Sequence, residues 1–168
     1  MEERPALELA LSRTDSFIES ADAKAGVVAA LLAGFTAVLI TSERFLNSAG
    51  DALSAPAENA AAVIALVIAA ASAVAAGASV FAALFPRTRA RGGTSSLYFR
   101  EIARHKDASS LIREIGSEGF DLNRELADQV LACSSICVAK MRWVKVSSVA
   151  SAISIAAIAA FSLLMSIG

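Results

Sequence analysis

Residues 59–85 read NAAAVIALVIAAASAVAAGASVFAALF, 27 consecutive positions without a charged side chain. A bilayer core about 30 Å thick is crossed by roughly 20 helical residues rising about 1.5 Å each. This stretch is therefore long enough to span with residues to spare. Two more stretches share its character: residues 25–42, 18 uncharged positions, and residues 146–168, a further 23. Helices of a soluble bundle carry charge on their outer face, so uncharged runs of this length exclude that class in favour of three transmembrane helices. The composition agrees: 56% of the 168 residues are hydrophobic and 18% charged, against about 45–50% and 25% in soluble domains.

The first run is not a secretory signal, because 24 residues carrying six acids precede it and no short basic segment does. Orientation follows from Lys and Arg. Of fifteen basic residues, fourteen lie before residue 25 or between the second and third runs; Arg44 alone lies between the first and second. The positive-inside rule puts the basic side in the cytoplasm and residues 47–58 and the C-terminus outside. The net charge of −1 gives no electrostatic footprint for nucleic acid.

Residues 5–24 form an amphipathic helix with Leu7, Ala10, Leu11, Thr14, Phe17, Ile18 and Ala21 on one face. Nothing breaks it before the first span, so one helix is expected from about residue 5 to 46. Residues 47–56, rich in Ser, Ala, Asn and Gly, read as a turn. Pro86 stops the second span, and Asp107 caps a short helix through Ile115. Leu122, Leu126, Val130, Cys133, Cys137, Met141 and Val144 then step by three or four residues into the third span, predicting one helix over 121–167. The expected fold is an all-α integral membrane protein whose first and third spans continue into a cytoplasmic helical bundle. Its parts are an amphipathic helix (1–24), first span (25–46), outer loop (47–58), second span (59–85), cytoplasmic sensor region (86–143) and third span (144–168).

Small residues recur every four positions in the spans. Gly26 and Gly34 in the first, Gly77 in the second, and Ala152 and Ala156 in the third are read as helix-packing positions, within a protomer or between protomers. Asp22, Lys24 and Lys140 stand at the mouth of the membrane, with Arg142, Trp143 and Lys145 placed as headgroup anchors. An acid beside an anionic leaflet calls for a basic partner, so Asp22 is expected to tie the long helices together through a residue such as Lys140. His105 is placed on a solvated face, and Cys133 and Cys137 in a reduced core. One histidine and no glycine-rich phosphate loop leave neither a catalytic constellation nor a metal site. No enzyme is expected.

Several segments together resemble the transmembrane effectors of the bacterial Pycsar anti-phage system. They are Arg13-Thr14-Asp15 with Ala21-Asp22-Ala23-Lys24-Ala25-Gly26 at the first span, and Phe85-Pro86 closing the second. Leu97-Tyr98-Phe99-Arg100-Glu101-Ile102-Ala103 follows, then Asp128-Gln129-Val130, Ser134-Ser135-Ile136, Lys140 and Arg142-Trp143 before the last. The resemblance covers residues 12–165. It implies an inner-membrane protein paired with a pyrimidine nucleotide cyclase and activated by cyclic UMP or cyclic CMP, with no other cofactor. Once activated, the protein oligomerises or rearranges and impairs the membrane, arresting the infected cell. A cyclic pyrimidine nucleotide needs cations for its phosphate and an aromatic face for its base. Arg13, Arg87, Arg100 and Lys140 are the candidates for the first, and Tyr98 and Phe99 for the second. The alternatives are a constitutive, holin-like pore and a membrane anchor that recruits a soluble partner.

Overall fold

A computed structural model describes residues 3–85, 102–117 and 120–167. Among them the secondary structure is helical, with α1 Glu3–Thr41, α2 Glu43–Ser54, α3 Ala60–Leu84, α4 Ala108–Ile115 and α5 Leu122–Ile167. Helices α1, α3 and α5 are long and apolar enough to cross a membrane. Contacts divide the chain into two compact units: Met1–Ala21 with Pro86–Ala139, and Asp22–Phe85 with Lys140–Gly168. The divisions after Ala21 and Ala139 leave Asp22 and Lys140 in the apolar unit.

In that unit, α5 packs antiparallel to α3 through a stripe of period seven. Lys140, Ser147, Ser154 and Phe161 are all buried on α5, as are Ala62, Ala69, Ala76 and Ala83 on α3. Ser147 Oγ donates to the Ala76 carbonyl at 3.1 Å, and Ser154 Oγ to the Ala69 carbonyl at 3.0 Å. Phe161 closes the series in a cluster with Ala62 and Ala65, while Val144 joins Ala83 and Ala25 of α1. Seven residues up α5 thus answer to seven residues down α3. Seven residues fall about 20° short of two full turns, so the stripe keeps facing its neighbour if the helices coil gently.

That geometry also explains which small residues pack. Gly26, Gly34, Gly77, Ala152 and Ala156 are exposed in the single chain. A Cβ built at any of the three glycines meets nothing within 4 Å. A four-residue repeat advances about 40° beyond one turn at each step, so its stripe winds away from a fixed partner. Within the chain, alanines at seven-residue spacing make the close contacts, and the five expected positions do not.

The expected helix over 5–46 ends early. Ser42 adopts extended backbone (φ −82°, ψ 101°) and caps a new helix, its Oγ accepting from the Phe45 amide at 3.3 Å. The expected turn is therefore largely α2, and the irregular chain shrinks to residues 55–59. Phe45, Ala49 and Ala52 share one face of α2 and pack on Phe161, Ala62 and Ala65. Phe45 meets Phe161 edge to face, with ring centroids 5.5 Å apart. Burial of that face overrides the turn-forming tendency of Asn47, Ser48 and Gly50.

In the other unit, Asp107 caps α4 by accepting from the Ser110 amide at 2.7 Å. Asp121 caps α5 through the amides of Asn123 and Arg124 at 3.0 and 3.3 Å. Phe17, expected on the apolar face of α1, is 58% exposed. His105 is not solvated as expected. Its Nε2 lies 3.1 Å from Glu114 Oε2 and its Nδ1 3.2 Å from Ser110 Oγ, because α4 turns both residues back onto the ring.

Candidate functional site

Ala21 and Ala25 are each 1% exposed, one turn apart on α1. Asp22 lies between them in sequence, and on α5 Lys140 occupies the buried stripe seven residues before Ser147. Its Nζ donates to both oxygens of Asp22, at 2.6 and 2.8 Å. The burial is lopsided: the Lys140 side chain is 8% exposed and that of Asp22 43%. A buried ammonium is tolerated only when its charge and its hydrogen bonds are met, and Asp22 meets them from a position that water reaches. No buried side-chain nitrogen or oxygen among the described residues lacks a partner.

Lys24 is not part of this pair. Two residues beyond Asp22 it stands about 200° around α1, and it is exposed. Arg142 and Lys145 are likewise exposed, and Trp143 is partly so, as suits headgroup anchors. The expected α5 stripe carried Met141 where the buried position is Lys140. A charged residue does not fit an apolar pattern, yet the seven-residue spacing Lys140, Ser147, Ser154, Phe161 carries the signal.

Of the candidate ligand contacts, Arg13 is exposed on α1. Arg87, Tyr98, Phe99 and Arg100 lie outside the described residues. On α1, Glu8, Asp15 and Glu19 line a cleft of about 450 Å³. Three acids make that cleft a poor host for a phosphate. Asp15 also acts on α5: the Cys133 thiol is pushed above its ordinary value by burial, and further by the Asp15 charge. Cys133 and Cys137 are free and partly buried. No group of three His, Cys, Asp or Glu among the described residues is arranged to hold a metal ion.

The sequence profile of the Pycsar effector protein domain (PycTM) matches residues 6–167. The chain belongs to the Pycsar effector family. No curated protein and no solved structure matches it. Membership makes this Pycsar effector a membrane effector of anti-phage defence, and its three long apolar helices supply the means of residence in the bilayer. The Asp22–Lys140 pair of this effector ties α1 to α5 where each helix enters the apolar unit.

Proposed function

We propose that a cyclic pyrimidine nucleotide, cyclic UMP or cyclic CMP, activates this effector, and that activation loosens the packing of its spans and impairs the inner membrane. The match over residues 6–167 carries the reading, since Pycsar effectors as a family answer to cyclic pyrimidines. The Asp22–Lys140 pair supplies a physical route. A nucleotide phosphate is an anion, and an anion that takes Lys140 must displace the Asp22 carboxylate. Loss of that bond frees α1 from α5 at the membrane mouth. A ligand shifts such an equilibrium only by preferring the loosened state, and a phosphate with access to Lys140 has that preference.

Arg13, Arg87 and Arg100 are further phosphate contacts in this reading, and Tyr98 and Phe99 stack on the base. The regions 1–24 and 86–143 are cytoplasmic, where a cyclase product is met, and the C-terminus lies outside. The exposed small residues Gly26, Gly34, Gly77, Ala152 and Ala156 serve contacts between protomers in the activated homo-oligomer.

Dye leakage from liposomes holding the full chain tests the proposal. Leakage rises with added cyclic UMP or cyclic CMP and not with cyclic AMP. Leakage independent of any nucleotide indicates a constitutive pore instead. Absence of leakage at every concentration, with a soluble protein co-purifying, indicates an anchor; either result overturns the proposal.

A further inference from the structure

The far end of the apolar unit holds a second feature, independent of nucleotide activation. A cleft of about 400 Å³ opens where the end of α1, the first turns of α2 and the end of α5 meet. Its polar lining is Arg44 with four serines, among them Ser42, Ser48 and Ser162. Its apolar lining includes Val38, Phe161 and Met165. Arg44 makes no ion pair or hydrogen bond with any described residue, and the Ser48 and Ser162 hydroxyls make none either. The Ser42 hydroxyl accepts from the Phe45 amide, which leaves its own proton to donate. Glu43, the neighbouring acid, is not among the lining residues.

Depth identifies what this arrangement meets. Asp22 and Ser42 lie on either side of 20 helical steps, about 30 Å. Lys140 and Ser162 are 22 steps apart, about 33 Å. Both spans match the roughly 30 Å thickness of a hydrocarbon core. With Asp22–Lys140 at one headgroup layer, the cleft stands at the other. An arginine fork sharing a cleft with serine hydroxyls suits a phosphodiester, and the apolar lining of the same cleft suits an acyl chain. We infer that the cleft is a binding site for an anionic glycerophospholipid of the leaflet opposite the Asp22–Lys140 pair, its phosphate on Arg44 and the serines and an acyl chain against Phe161 and Met165. A free phosphate would use the polar lining and gain nothing from the apolar lining.

Native mass spectrometry of the full chain, released from micelles holding equal phosphatidylglycerol and phosphatidylcholine, tests this inference. The unaltered chain retains phosphatidylglycerol in preference. Arg44→Gln lowers that retention about tenfold, the loss expected for a charge-assisted contact, and Arg44→Lys lowers it less. Ser48→Ala combined with Ser162→Ala provides a second route should Arg44→Gln fail to fold, and it also reduces retention. Equal retention of the two lipids, undiminished retention in the Arg44→Gln and double-serine variants, or displacement of the lipid by excess inorganic phosphate overturns the assignment.

Discussion

Lys140 and Asp22 share two hydrogen bonds, yet the lysine side chain is 8% exposed and the aspartate 43%. Deleting the two partners therefore has unequal consequences. Asp22→Ala strands a buried ammonium, a change that costs about 3–5 kcal/mol in a fully buried pair; water at the Asp22 side reduces that figure. Lys140→Met fills the same space with an apolar chain and leaves a carboxylate that water reaches. Thermal unfolding in detergent should show a larger loss for Asp22→Ala than for Lys140→Met. Reversing both charges should recover part of what either reversal alone destroys. Equal losses from the two deletions would show that the asymmetry in burial carries no energetic weight.

The same pair predicts opposite effects on activation. Asp22→Asn weakens the competitor for Lys140, so liposomes holding this variant should leak at a lower nucleotide concentration than the unaltered chain, with a higher basal rate. Lys140→Met removes the group the phosphate is proposed to capture and should blunt the response at every concentration. The nucleotide concentration at half-maximal leakage, compared across the three chains, is the measurement. An Asp22→Asn variant that needs more nucleotide would contradict competition for Lys140.

Uncharged length made the three long helices readable in advance, because it needs no knowledge of which face packs against what. The Asp22 partnership was readable as well, from the cost of an unpaired acid at a membrane mouth. Faces were harder. The apolar pattern of α5 leads from Cys137 to Met141, whereas the buried position is Lys140, a residue such a pattern passes over. Within the chain the close contacts fall to Ala69 and Ala76, whose partner serines are 71 or more residues away in sequence. Helix α2 escaped for a related reason: Phe45, Ala49 and Ala52 are an apolar face only once Phe161 and Ala62 are opposite. Local spacing carries its own signal in a sequence, and contacts between distant segments do not.

Ser147 and Ser154 each bridge α5 to a carbonyl of α3, where both are buried. Hydrogen bonds between membrane helices contribute about 0.6 kcal/mol on average, because the separated helices also find partners. Ser147→Ala and Ser154→Ala should each lower stability by about that amount, and the double variant by about the sum. Ser147→Leu should cost far more, since a side chain 1% exposed at a close helix contact has no room to grow. Reversible unfolding in mixed micelles measures all four. If Ser147→Leu proves as mild as Ser147→Ala, the close approach of α5 to α3 is wrong.

Cys133 reports on the neighbouring unit. Its thiol is pushed up first by burial and then by the Asp15 charge. Both effects disfavour the thiolate, which is the reactive form. In a Cys137→Ala background, alkylation of Cys133 at mildly alkaline pH should run slower than that of an exposed thiol. Asp15→Asn removes the smaller of the two causes. The sign is fixed: without a negative neighbour the thiolate is less costly, its fraction at a given pH rises, and alkylation accelerates. Burial, the larger cause, remains, so the rate should stay below that of an exposed cysteine. A rate unchanged or reduced by Asp15→Asn would place Asp15 away from Cys133 and remove the electrostatic link between α1 and α5 in this unit.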